Sequence, residues 1–267
     1  MPKRDERPNI YKRLIEKFFF DRYRRTSDRL PFRRVDIEEA ASTLEIRLPK
    51  NLGDVVYSLR YRTPMPETIL ATQPAGKEWV IKGTGRAAYE FALVTLNRIR
   101  PNPNLVAIKV PNATPEIVTA HALSDEQALL AKVRYNRLID IFLGIASYSL
   151  QNHLRTTVRG TGQIEIDEIY VGIDRQGCQY VIPVQAKGGT DQLSVLQTQQ
   201  DIDCCSEKFP SLVCRAISTQ FMADDLIALF ELTIDDDEVR VVDERHYRLV
   251  PADQISPEEL RTYRRRR

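Results

Sequence analysis

No stretch of this chain approaches the roughly 18 consecutive apolar residues that a membrane-spanning helix requires, so no membrane partner is expected. The N-terminal stretch MPKRDERPN lacks the apolar core of a secretion signal, which leads us to expect a cytoplasmic protein. Metal-binding residue types are sparse. Cys178, Cys204, Cys205 and Cys214 form no CxxC pair, and His121, His153 and His246 are too few and too scattered for a zinc site. Buried or idle thiols in a reducing compartment account for the cysteines. No small-molecule cofactor is expected.

What remains is enough for a full core: 267 residues, 42% hydrophobic and 28% charged. The net charge of +2 hides an uneven distribution. The first thirty-four residues carry twelve Lys or Arg against five Asp or Glu, and the chain closes on Arg264, Arg265, Arg266 and Arg267. Basic ends suit a polyanionic partner; merely solvated ends are the plain alternative.

The stretch that organises the chain is Gln163–Gly189. Two β-runs, Ile164–Asp174 and Gln179–Lys187, flank the turn-forming Asp174-Arg175-Gln176-Gly177, which predicts an antiparallel hairpin. Folded about Arg175 and Gln176, it brings Gln185 opposite or diagonal to Asp167 and Glu168, and Lys187 beside Glu165. Carboxylates, an amide oxygen and an ammonium then converge at one end of a small sheet, the set needed to hold a divalent metal against a phosphodiester.

Before the hairpin, Leu14, Ile15, Phe18 and Phe19 recur at helical spacing within Ile10–Tyr23. Asp36 and Glu39 read as a capping box opening a helix through Leu44. A second short helix over residues 51–62 turns Leu52, Val55, Val56 and Leu59 inward and leaves Lys50, Tyr57, Arg60, Arg62 mostly outside. Trp79–Lys82, a Gly83-Thr84-Gly85-Arg86 turn and Tyr89–Leu93 predict a further hairpin. Helix, helix-turn-helix and a two-stranded wing make residues 1–97 a winged-helix-like α+β domain, whose second short helix would carry those four residues to DNA. A solvated helix face is the plain reading of the same arginines.

Pro101, Pro103, Pro111 and Pro115 make residues 98–123 a connector, with one short strand at Leu105–Val110. Ser124 and Gln127 form a capping box for a long helix to about His153, apolar on more than one face from Leu138 onward and hence buried against a sheet. After the hairpin, a helix capped at Thr190 or Asp191 runs to about Ile202. Leu212–Ser218 is strand-like, and Ile227–Ile234 with Val239–Val242 forms another hairpin. Residues 124–250 are therefore an α/β domain with a mixed sheet, and 251–267 a basic tail.

Helix, hairpin, helix and strand, with an acid on the first hairpin strand and Gln185-Ala186-Lys187 on the second, resembles the PD-(D/E)xK nuclease superfamily, the restriction-endonuclease-like fold. Gln in the first motif position is similar to the variant of Mrr-type restriction enzymes. Gln197, with Asp201 one turn later, is similar to the glutamine-bearing helix of RecB-like members. The resemblance implies a Mg²⁺- or Mn²⁺-dependent DNA endonuclease, in a restriction or defence role, that works as a homodimer because cutting both strands needs two active sites.

On that basis Asp167 is the first metal ligand, Gln185 contributes a neutral carbonyl oxygen, and Glu165 is a second carboxylate that compensates for the missing charge. Lys187 orients the attacking water and the phosphate and favours hydroxide by its charge. Glu168 points to the other face of a regular strand and would replace Asp167 only across a bulge. Gln197 and Gln151 are secondary candidates. Gly188 and Gly189 would let a DNA backbone approach closely, or simply form the turn into the next helix. Three alternatives stay open: cross-strand surface pairs with no chemistry, an inactive DNA-binding or regulatory protein on the same scaffold, and a structure-specific or RNA-directed nuclease.

Overall fold

The computed structural model describes residues 10–49, 52, 55–56, 58, 65–85, 87–95, 99–121, 126–188, 195–222, 226–235 and 238–265. The chain divides into two compact units, Met1–Leu96 with Arg159–Gly162, and Asn97–Val158 with Gln163–Arg267.

The first unit runs α1 (Ile10–Phe20), β1 (Arg29–Arg33), α2 (Arg34–Thr43), α3 (Glu67–Leu70), β2 (Lys77–Gly85) and β3 (Ala88–Thr95). The expected hairpin is present as β2 and β3, and β1 adds a strand on the far side of β3, giving the sheet order β1-β3-β2. Leu14, Ile15, Phe18 and Phe19 form the buried stripe of α1. Phe18 and Phe19 meet Phe91 of β3 with ring centroids 5.6 and 5.1 Å apart, and Phe19 meets Trp79 of β2 edge-on at 5.2 Å. The expected capping box is displaced by one turn. Asp36 is the third residue of α2, and its carboxylate accepts the Arg33 N–H at 2.5 Å, so the helix starts at Arg34 directly from the strand. Lys50, Tyr57, Arg60 and Arg62 lie outside the described residues, as do Ser124, Thr190, Asp191 and Gly189.

The second unit is mixed α/β. Its elements are β4 (Ile108–Pro111), α4 (Glu116–His121), α5 (Glu126–Tyr135), α6 (Leu138–Leu143), β5 (Ala146–Val158), β6 (Gly162–Ile173), β7 (Gln179–Lys187), α7 (Val195–Lys208), β8 (Val213–Cys214), β9 (Ala216–Phe221), β10 (Leu226–Asp235), β11 (Glu238–Val250) and α8 (Pro257–Arg265). Eight strands form one mixed sheet in the order β4-β11-β10-β9-β7-β6-β5, with β8 also on β7. β6 and β7 are antiparallel, whereas β7 and β9 are parallel and joined across α7.

The sheet is covered on both faces. Leu129, Leu130 and Val133 of α5 and Leu138 and Ile139 of α6 pack with Ile182, Val184 and Ala186 of β7. From the opposite face of β7, Val181 meets Cys205 of α7, and Val195 and Ile202 of the same helix cover Ala228 and Phe230. Each fully buried Leu or Ile here is worth about 1.5–3 kcal/mol of transfer free energy.

The expected long helix is instead α5, α6 and a thirteen-residue strand. Two residues break it. Arg137 takes a left-handed conformation at φ 49°, and Gly144 another at φ 69°, where glycine is the residue that avoids the steric cost. Asn136, buried just before Arg137, donates to Thr114 Oγ1 and Lys132 O and accepts the Ala113 N–H at 2.6 Å, tying the break to the preceding loop. Asp140 then closes the turn into β5, accepting the Ser147 N–H at 2.7 Å. Apolar residues that wrapped around a notional helix belong to two periodicities, 3.6 up to Leu143 and 2 after it.

Two further segments join the second unit's sheet or pack on it. The short strand expected in the proline-rich connector is β4, and it pairs in parallel with the end of β11. The basic tail forms α8 and is docked on β4: Lys109 binds Glu259 at 2.9 Å, and the Lys109 N–H donates to Tyr263 Oη at 3.1 Å. Strand β11 runs on to Val250 because β4 pairs with Leu249 and Val250 beyond Leu226↔Arg248, where the pairing with β10 ends.

Candidate functional site: the fork between β6 and β7

The β6–β7 ladder runs from Ile173↔Gln179 to Glu168↔Val184 and ends there. One step further in the same register, Asp167 falls opposite Gln185. β7 continues alone against β9, with Gln185↔Ser218 and Lys187↔Gln220 as its last pairs. At the parting, Ala186 would have an N–H with no strand to receive it; Asp167 Oδ2 accepts that N–H at 3.0 Å. Ile164 and Ile166 pack with Cys204 of α7, and Ile169 packs with its neighbour Cys205, which strict alternation along β6 does not allow. The change of phase falls at Asp167 and Glu168, where the strands separate.

Around the fork stand Asp167, Gln185, Lys187, Asp201 and Glu126. Gln185 is buried, its Nε2 donates to Asp201 Oδ2 at 2.7 Å, and its Oε1 is buried without a hydrogen-bond partner. Lys187 Nζ pairs with Glu126 Oε1 of the first turn of α5 at 3.0 Å. Burial pushes the Asp167 carboxyl above its usual range; the Ala186 N–H and the Lys187 charge pull it back, while Glu126 and Glu165 push it further up. Complete burial raises the Asp201 carboxyl well above the ordinary value. The Gln185 amide and Lys187 oppose that rise, and the Asp167 charge and the Cys214 thiol add to it.

Asp167, Gln185 and Lys187 are thus gathered at one sheet end. Glu165 is turned to β5 instead: its carboxylate takes Arg155 Nε at 3.1 Å and His153 Nδ1 at 3.2 Å, not Lys187. Glu168 lies on the other face, fully buried, with Arg134 Nε at 2.8 Å and Ser149 Oγ at 2.5 Å on its Oε1. Gln151 is exposed on β5, since the helix expected to carry it is a strand. Gln197 sits on α7 one turn before Asp201. Gly188 follows β7 with open space where a Cβ would stand, room for a ligand backbone but no conformational demand for glycine.

Glu126 was not anticipated, and Asp201 was named only as the residue one turn after Gln197, with no role at the site. Asp201 had a sequence signal, because it shares a helical stripe with Thr198 and Cys205, all buried. Glu126 had none, being one more acid in the first turn of a helix.

Among the described residues, no group of three or more His, Cys, Asp or Glu is arranged to hold a metal ion. The donor set at the fork is oxygen only. One carboxylate and one orphaned carbonyl oxygen fit a cation such as Mg²⁺, which takes one or two protein carboxylates and leaves its other positions to water and phosphate. No helix among the described residues is long and apolar enough to cross a membrane. Comparison with protein-family models, with curated proteins and with solved structures gave no match.

Proposed function

We propose that the chain is a Mg²⁺-dependent DNA endonuclease with a restriction-endonuclease-like core of the PD-(D/E)xK type and a winged-helix-like DNA-binding domain. One observation carries the reading: an acid, Asp167, and a Gln185-x-Lys187 pair meet where two strands diverge, and the Gln185 carbonyl oxygen is buried and unpartnered among the described residues. The element order supports it. A helical layer, the meander β5-β6-β7, the crossover α7 and the parallel strand β9 follow one another as that core requires. In the first unit, the order α1-β1-α2 followed by the β2–β3 hairpin, with β1 beside β3, supports the winged-helix reading.

Asp167 and Gln185 would hold the cation, which when bound offsets charge on the phosphoryl oxygens and favours hydroxide as the nucleophile. The protein's own groups do the rest. Lys187 brings a fixed positive charge that orients the attacking water and the scissile phosphate, and Glu126 keeps its ammonium at the mouth of the fork. Asp167 also ties β6 to β7 through Ala186, so the ligand and the lysine are held on one rigid strand pair. Double-strand cutting by such a core calls for two copies of the site, hence a homodimer, and its substrate is met in the cytoplasm.

A second reading has its own support. Gln185 is neutral, and of the acids at the fork Glu126 is paired with Lys187 and Asp201 with Gln185, as in a nuclease scaffold retained for DNA binding alone. Plasmid DNA incubated with Mg²⁺ and the wild type or Lys187→Ala separates the two. We expect nicking or cutting by the wild type, stopped by EDTA and by the substitution. No cutting by either protein, with DNA binding intact, refutes the enzyme and leaves the scaffold. Parallel branched-DNA and RNA substrates identify a structure-specific or RNA-directed enzyme.

A further inference from the structure

Asp201 is a carboxylate in an unfavourable place. It is 3% exposed, on a helix stripe otherwise occupied by Thr198 and Cys205, and it stands against Gln185 with Asp167, Lys187 and the Cys214 thiol as its other charged or titratable neighbours. Burying a carboxylate costs free energy that an asparagine or leucine of similar volume would not incur, so packing alone does not account for it. What an acid supplies here is directionality. A carboxyl oxygen that carries no proton only accepts hydrogen bonds, and an amide has one accepting end and one donating end. Set 2.7 Å from Gln185, Asp201 selects the NH₂ end and leaves Oε1 as the free end of the amide. That oxygen is the buried acceptor without a partner.

We infer that Asp201 is the positioning residue of the fork: by holding Gln185 through Nε2 it presents the Gln185 carbonyl oxygen, beside Asp167, as a cation ligand. The inference rests on the divalent-cation reading above. It also accounts for a neutral ligand in a position where a carboxylate would need no orientation, because both of its oxygens accept. The Asp201 carboxyl sits one layer back, on α7, where it fixes the ligand instead of being the ligand.

The test is Mn²⁺ binding to the full-length protein without nucleic acid, followed by electron paramagnetic resonance, alongside thermal melting. Asp201→Asn is isosteric, and its amide can donate to Gln185 Oε1 and turn the glutamine over. We expect Mn²⁺ affinity to fall by about 10- to 100-fold, as when the partner that orients a ligand is lost, with the melting temperature unchanged or higher. Adding Gln185→Glu to Asp201→Asn supplies a ligand whose two ends are equivalent and is expected to restore most of the affinity. Wild-type affinity in Asp201→Asn overturns the inference and leaves the cation site standing. Failure of the double variant to recover also overturns it, since a carboxylate at position 185 needs no orientation and returns the lost charge. If the wild type binds no Mn²⁺, the cation reading and this inference fall together.

Discussion

The carboxylate of Asp167 and the main-chain N–H of Ala186 meet at 3.0 Å where β6 and β7 part, so one side chain both closes a gap in the sheet and marks the candidate site. Replacing Asp167 therefore acts twice. Asp167→Ala exposes or orphans the Ala186 N–H, a loss of about 1–3 kcal/mol, in addition to removing the cation's carboxylate. Asp167→Asn keeps an acceptor for that N–H and is expected to retain most of the stability while abolishing Mg²⁺-dependent cleavage. Chemical denaturation and plasmid cutting, run on both variants, check the separation.

Lys187 forms an ion pair with Glu126, whose side chain is partly exposed. Lys187→Ala is expected to lower cleavage by about 10²–10⁴-fold, the range for a positioned catalytic group, with DNA affinity little changed. Glu126→Gln is expected to cost less than about 1 kcal/mol, because the pair is partly solvated. Initial rates and equilibrium unfolding distinguish the two roles.

Glu168 offers a control on the opposite face. It is buried and held by Arg134 and Ser149, with no path to the fork. Arg134→Ala leaves that carboxylate without its charged partner and is expected to destabilise by about 2–4 kcal/mol, toward the low side of a buried-pair loss because Arg134 is partly exposed. Joint replacement of Arg134 and Glu168 by leucines is expected to recover part of the loss. Urea midpoints decide this, and cleavage per folded molecule should be unaffected.

The turn of the central hairpin has a pH signature. Burial pushes the Asp174 carboxyl up, but hydrogen bonds from Tyr180 Oη and from the Cys178, Gln176 and Gly177 N–H groups outweigh it and hold it below the usual carboxylate range. A depressed folded value means the unfolded chain binds the proton more readily, so the stabilisation is present above the unfolded pKa of about 3.9 and is lost as pH falls through the lower folded value. Melting temperatures of wild type and Asp174→Asn should differ at pH 6 and converge below about pH 3. A gap that persists at low pH would show that geometry, not charge, supplies the effect.

If residues 1–97 grip DNA through Arg60 and Arg62, each substitution by alanine should weaken binding for all sequences and lower the slope of log affinity against log salt by about 1. An unchanged slope would remove those arginines from the interface.

Local signals in the sequence determined the central hairpin, the buried stripe of α1 and the identities of Asp167, Gln185 and Lys187. A turn of Asp, Arg, Gln and Gly between two apolar-alternating runs admits essentially one pairing, and residues two apart on paired strands must share a side. It misread what depended on distant partners. The apolar run after Leu138 is compatible with a helix until Gly144 and Asp140 are seen to end one. Prolines around residues 101–115 read as a linker until β11 is seen to need a parallel neighbour.

At the site itself, only tertiary structure decided which acids belong. Spacing ranked Asp167 ahead of Glu165 and Glu168 without saying what the latter two bind; Arg155 claims one and Arg134 the other. Asp201 and Glu126, sixteen residues after Gln185 and sixty-one before Lys187, reach the fork from different helices. Spacing along the chain fixes which side chains share a face; which charges neutralise one another depends on layers that only packing brings together.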